Sequence, residues 1–211
     1  TLRLWDLTSS KCLKTIECGT KAEDAIFSSA LNSAGTQAVS GHRDGRIRIW
    51  NLQTGECVAT LRGHSGIVFS VQIAPDERFA VSGSDDNTVK VWDIGAKTCV
   101  GTLEGHQDSV DSVAISPDGT LIASAGFIDL TVRLWEWKSG TCLQVLTSKE
   151  SLYPVSVTFS PDGSRLLVGT ADNFIFVYCI TGVDAATSAE PTRHYVNAKV
   201  VLLGEGTVGK T

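Results

Sequence analysis

Apolar and polar residues alternate with period two through five short runs: LRLWD at 2–6, IRIWN at 47–51, VKVWD at 89–93, VRLWE at 132–136 and IFVYC at 175–179. Alternation of this kind marks a strand with one buried face. Each run carries an aromatic anchor in its next-to-last place, Trp5, Trp50, Trp92, Trp135 or Tyr178, and the anchors lie 45, 42, 43 and 43 residues apart. Upstream of four anchors stand turn sequences: Asn32-Ser33-Ala34-Gly35, Ala74-Pro75-Asp76-Glu77, Ser116-Pro117-Asp118-Gly119 and Ser160-Pro161-Asp162-Gly163. Proline presets φ for a turn, aspartate bonds its own backbone, and glycine accepts positive φ. A further apolar strand follows each turn, as in RFAVSGS at 78–84 and TLIASAG at 120–126.

Each unit therefore reads as strand, turn, strand, tight turn, anchor strand and short outer strand. Four antiparallel strands in roughly 40–45 residues is the pattern of a propeller blade. A two-sheet sandwich of short strands is the other all-β solution, but it does not require self-similar units. The expected fold is all-β: a partial propeller of about four to five blades. Residues 1–17 supply only the last two strands of one blade, three more blades are whole, and a fifth reaches its anchor at Tyr178. A closed ring is not expected from these residues alone.

The units resemble WD repeats over residues 1–181. Gly63-His64 and Gly105-His106 match the Gly-His that opens such a repeat. Asp44, Asp86, Asp129 and Asp172 each stand six residues before an anchor. The resemblance implies a buried hydrogen-bonded network of His, Ser or Thr, Asp and Trp inside a blade. The matching sets are His64, Ser82, Asp86 and Trp92, then His106, Ser124, Asp129 and Trp135. The second set has one extra residue near Phe127-Ile128. Ala22 and Glu150 stand where His belongs, and Tyr178 replaces Trp.

A buried carboxylate needs hydrogen bonds to offset its desolvation. Imidazole, hydroxyl and indole groups can supply them in a chain. A His-Ser-Asp set also invites comparison with a hydrolase triad. Recurrence in successive units argues for structure, and no catalytic residue is assigned. The expected role is an interaction scaffold that binds proteins or peptides on its propeller face, with Lys21, Ser65, Gln107 and Ser151 as candidate contact positions.

Composition narrows the partners. Of 211 residues, 42% are hydrophobic, and the net charge is −5. With no basic excess, neither a nucleic acid nor a membrane surface is an expected partner. No apolar run approaches the roughly 18 residues of a membrane span. Cys12, Cys57, Cys99 and Cys142 each follow a Trp anchor by seven residues. Equivalent positions in adjacent blades lie too far apart for disulfides, so they are expected to be small apolar packing residues. Cysteines without a pairing pattern or a Cys-x-x-Cys metal spacing fit a cytoplasmic location.

The pattern changes after Ile180. TGVDAATSAEPTRH is small, polar and aperiodic, so 182–195 is expected to be a linker, unless part of it supplies the fifth blade's outer strand. Residues 196–211 then read as the truncated start of another domain. An apolar strand, Lys199 to Leu203, leads into Gly204, Glu205, Gly206, Thr207, Val208, Gly209, Lys210 and Thr211, which satisfies G-x-x-x-x-G-K-[ST]. Glycines let backbone N–H groups turn inward around phosphates, Lys210 suits the β- and γ-phosphates, and the Thr211 hydroxyl suits Mg²⁺. The stretch resembles the opening of a Ras-like small GTPase, a P-loop NTPase. That resemblance implies GTP and Mg²⁺ as cofactors of an intact parent protein. Two roles follow for that parent: a scaffold coupled to a GTP-binding domain, or a GTP-hydrolysing switch that uses the propeller for targeting. Phosphoryl transfer needs several segments, and only one is present, so the 211 residues are not expected to hydrolyse GTP.

Overall fold

A computed structural model describes residues 1–147 and 153–180 in full and the backbone of 196–199. Five antiparallel sheets follow one another along the chain. The first has two strands, β1 (Leu2–Asp6) and β2 (Lys11–Ile16). Four four-stranded sheets follow. They are β3 (Ile26–Leu31), β4 (Gln37–His42), β5 (Ile47–Asn51) and β6 (Cys57–Leu61); β7 (Val68–Ile73), β8 (Phe79–Ser84), β9 (Val89–Asp93) and β10 (Thr98–Leu103); β11 (Ser112–Ile115), β12 (Leu121–Gly126), β13 (Thr131–Glu136) and β14 (Thr141–Thr147); and β15 (Pro154–Phe159), β16 (Arg165–Thr170), β17 (Ile175–Ile180) and β18 (Val196–Lys199). Each is a meander in which consecutive strands pair. One 3-10 turn, Ala22–Asp24, precedes β3.

The turns joining first to second strands close between their first and fourth residues. Gly35, Glu77, Gly119 and Gly163 donate their N–H groups to Asn32, Ala74, Ser116 and Ser160. All four donors have positive φ, and only Glu77, at 55°, is not glycine. Its carboxylate accepts the Ser33 N–H of the preceding sheet at 2.7 Å, a bond that glycine could not make. Strain at one turn is thereby exchanged for a tie between sheets.

The core lies between sheets, not within one. Val39, Ile47, Ile49 and Leu61 of one sheet enclose Val68, Val71 and Trp92 of the next. Val81, Val89 and Leu103 pack likewise against Val110, Val113 and Trp135. Ala123, Val132 and Leu146 pack against Val157, Val168 and Tyr178. Trp50 joins Ile16 and Cys18 at the first junction. The first strands β7, β11 and β15 each lie against the first strand of the sheet before. These are successive blades sharing faces.

Two expectations change. Cys12, Cys57 and Cys99 are exposed, and Cys142 is half-buried. Each lies opposite its Trp at a register slip on the outer strand, and only Cys142 still packs against the core around Trp135. The thiols of Cys12, Cys57, Cys99 and Cys142 donate to carbonyls two residues on. The shared position is a bulge that turns the side chain outward, where packing is not required. The second concerns Val196–Lys199. Val196–Lys199 pairs antiparallel with Val177–Ile180 as the fourth strand of the fifth blade, where the sequence pattern assigned it to the following domain. Hydrophobic pattern alone cannot show which open sheet edge an extended segment will pair with.

Candidate functional site

The face carrying the sheet-to-sheet crossovers and the second-to-third-strand turns is here the upper face. Beneath it lie the predicted polar sets. His64 comes from the crossover before β7, Ser82 from β8, Asp86 from the turn after β8, and Trp92 from β9. The structure brings all four together. Trp92 Nε1 donates to Ser82 Oγ at 2.8 Å, Ser82 Oγ lies 2.7 Å from His64 Nε2, and His64 Nδ1 lies 2.8 Å from Asp86 Oδ2. A carboxylate can only accept, so Nδ1 carries the proton. Nε2 then accepts from the serine, which accepts from the indole. One directional chain, Trp to Ser to His to Asp, satisfies every member with a neutral imidazole.

The set from His106, Ser124, Asp129 and Trp135 repeats this arrangement, with distances of 2.8, 2.7 and 2.7 Å along the same path. The extra residue in the turn from β12 to β13 leaves Asp129 in place and sets Phe127 and Ile128 outward. Both aspartates also cap the upper loops. Asp86 accepts the N–H groups of Ser65 and Thr88, and Asp129 those of Gln107 and Thr131. Burial alone would raise the Asp86 carboxyl. Hydrogen bonds from His64, Thr88 and Ser65 outweigh it and hold the group well below the usual carboxylate range. Asp129 is lowered in the same way against its burial, chiefly by His106. Ser82 and Ser124 are fully buried, so neither hydroxyl can meet a substrate.

The blade of β3 to β6 solves the missing histidine differently. His42, from β4 itself, is fully buried. Its Nε2 lies 2.7 Å from Ser40 Oγ, which accepts Trp50 Nε1–H at 2.7 Å. Its Nδ1 lies 3.0 Å from the Asp24 carbonyl, which can only accept, so this imidazole too is a fixed tautomer. Arg48 joins Asp24 and Asp44, both at 2.9 Å, and ties crossover to turn in place of the histidine-aspartate pair. Sequence matching missed this set because it sought His on the crossover. The available signal was a His two residues after the network serine, on the same strand face. The fifth blade has no serine at this position. Val168 occupies it, buried beside Tyr178, and Phe176 stacks on Tyr178 with centroids 6.5 Å apart.

The proposed contact positions fare unevenly. Lys21, Ser65 and Gln107 are exposed at crossovers. Ser151 and Glu150 lie outside the described residues, as does the whole stretch 204–211, from Gly204 to Thr211. Sequence reasoning missed the exposed Phe27 and Val155, which sit at register slips in β3 and β15. No helix among the described residues is long and apolar enough to cross a membrane. No three metal-ligating side chains gather among those residues.

The family model "WD domain, G-beta repeat" matches residues 10–51, 55–93, 97–136 and 140–179. The chain belongs to the WD-repeat family. Its WD repeats are similar to those of autophagy-related protein 16 of Arabidopsis thaliana, 34% identical over 79 residues, 35% of this chain and 14% of that protein. Pre-mRNA-splicing factor cwf17 of Schizosaccharomyces pombe is 37% identical over 70 residues, 33% of this chain and 19% of that protein. Eukaryotic translation initiation factor 3 subunit I of Lodderomyces elongisporus is 35% identical over 146 residues, 69% of this chain and 29% of that protein. The chain thus spans less than a third of the length of these curated relatives.

Proposed function

We propose that this WD-repeat chain is a protein-interaction scaffold whose upper face receives a protein or peptide partner. One observation carries the reading. In three successive blades, buried polar groups tie a crossover to a turn, fixing the loops of one face while leaving no buried hydroxyl open to chemistry. Loops held on a rigid framework are the usual place for recognition. The relatives' names place WD repeats in autophagy, splicing and translation-initiation proteins, as expected of an adaptable platform.

The test uses a photo-crosslinking amino acid in the full-length parent protein, at Gln107 on the upper face or at Val100 on the outer strand β10. Discrete partner adducts are expected from Gln107 and not from Val100. Equal yields from both positions would remove the preference for the upper face.

A second reading rests on the motif from Gly204 to Thr211: a GTP-binding switch, with Mg²⁺, that the propeller serves as targeting module. Bound nucleotide would supply a charged phosphate group whose loss on hydrolysis could alter an attached face. Only Val200–Leu203 separates β18 from Gly204, which favours coupling over independent tethering. Fluorescent GTP should bind the full-length parent and not its Lys210→Ala variant. Equal binding by both would dismiss this reading and leave the scaffold intact.

A further inference from the structure

Three serines on the first strands bind the next blade. Ser28 Oγ accepts the Val71 N–H, Ser70 Oγ the Val113 N–H, and Ser112 Oγ the Val157 N–H, each at 3.1 Å. These repeated bonds lock neighbouring first strands at one stagger. The residues just before Ser28, Ser70, Ser112 and the equivalent Ser156 therefore occupy one rung across four strands. They are Phe27, Phe69, Asp111 and Val155. Phe27 and Phe69 show how close the rung brings its members, with ring centroids 5.7 Å apart in an edge-to-face contact.

The rung lies at the crossover ends of the first strands, on the upper face. Phe27 is 47% exposed and Val155 43%. Asp111 is half-buried and fixed. Its Oδ2 accepts the Phe127 N–H at 2.9 Å and the Ser109 hydroxyl at 3.3 Å. The Phe127 ring lies 5.8 Å from that of Tyr153. One carboxylate thus stands between two aromatic pairs. Exposed rings gain by covering with apolar groups. The carboxylate between them favours a cation, which the ring faces also attract. The chain's net charge of −5 favours a basic approach as well. An acidic group brought to the same place would be repelled.

We propose that this rung seats a peptide segment carrying one lysine or arginine between two apolar side chains, the cation against Asp111 and the apolar groups over Phe69 and Val155. The proposal rests on the scaffold reading and names its partner's chemistry. Three fluorescein-labelled peptides, Ser-Gly-Leu-X-Phe-Gly-Ser with X as Arg, Gln or Glu, are titrated with the full-length parent by fluorescence polarisation. The Arg peptide is expected to bind about tenfold more tightly than the Glu peptide. Asp111→Asn, which keeps an acceptor for the Phe127 N–H, should erase the preference, and Asp111→Lys should invert it. Phe69→Ser should weaken all three alike. Circular dichroism checks that each variant is folded. An Arg preference that survives Asp111→Lys overturns the seat and leaves the scaffold standing. So does failure of every peptide to bind while Gln107 still crosslinks a partner. Failure of both experiments removes both readings.

Discussion

His42 shows how one residue can occupy a structural role from the wrong place in the sequence. It arrives from a strand and not a crossover, yet its ring completes the same chain of hydrogen bonds to serine and tryptophan. Burial lowers its proton affinity against the bond to the Asp24 carbonyl, and the nearby Arg48 charge lowers it further. Asp24 and Asp44 face it as well and act in the opposite direction. In the unfolded chain a histidine protonates near pH 6.5, whereas folded His42 resists. Below that pH the unfolded state binds the extra proton, so stability falls on acidification and is restored above it. His42→Gln keeps a donor for Asp24 and an acceptor for Ser40. Urea unfolding at pH 7.5 and pH 5 should show a smaller stability loss in this variant than in the parent sequence. Equal losses would mean that His42 is protonated without cost. Asp86 and Asp129 act at lower pH. Their depressed carboxyls contribute stability above about pH 4, which disappears as acid reaches their folded range.

Among elements, the second strands decide how closely blades approach. A methyl group on Gly83 would meet Val110 Cγ1 at 2.7 Å and the Val110 carbonyl oxygen at 2.8 Å. Gly41 faces Val68 in the same way. Ala125 holds the equivalent place in β12, where β15 begins with Pro154, whereas Gly101 on the outer strand β10 has only Val91, with its Cβ at 3.7 Å. Gly83→Ala should therefore cost about 1–3 kcal/mol through overpacking, while Gly101→Ala should change stability by less than about 0.5 kcal/mol. Paired denaturant titrations check this, and equal effects would refute the distinction. Strands and turns were largely legible in advance, because alternation and Pro-Asp-Gly turns are local signals. The outward cysteines were not. Their seven-residue offset from tryptophan is visible, but the bulge that rotates the side chain forms only when two strands pair. The serine bonds between blades were hidden for a related reason: their partners lie 43 to 45 residues away.

At the scale of the molecule, each tryptophan needs its own blade and a neighbour's face. Trp92 is 0% exposed beneath a full sheet, whereas Trp5, on a two-stranded sheet, is 50% exposed. An indole that buries roughly 200 Å² contributes on the order of 4–5 kcal/mol as an upper bound, so the difference is large for one side chain. Acrylamide should quench Trp5 emission in the 211-residue chain far more than that of Trp50, Trp92 or Trp135. Trp5→Phe should remove the larger part of the quenchable, red-shifted signal and leave that of the half-buried Trp137. An unchanged quenching curve would show that Trp5 is covered. The two complete His-Ser-Asp-Trp sets were readable because their members sit at matching offsets from the anchor, apart from the one extra residue near Phe127-Ile128. The substitute set around His42 and the Phe27–Val155 rung were not, because they depend on which strands become neighbours.

The sequence by itself determined the blade: its period, its turns, its anchors and the composition of its regular polar network. These depend on near neighbours and on strict repetition. Tertiary structure alone decided where blades touch, that Val196–Lys199 pairs with β17, that a strand histidine replaces a crossover one, and that Asp111 stands in a row with phenylalanines. Blade stagger joins residues more than 40 positions apart, and the pairing of β18 with β17 joins residues 16 to 22 apart across an aperiodic stretch, so no local pattern of polar and apolar residues records either.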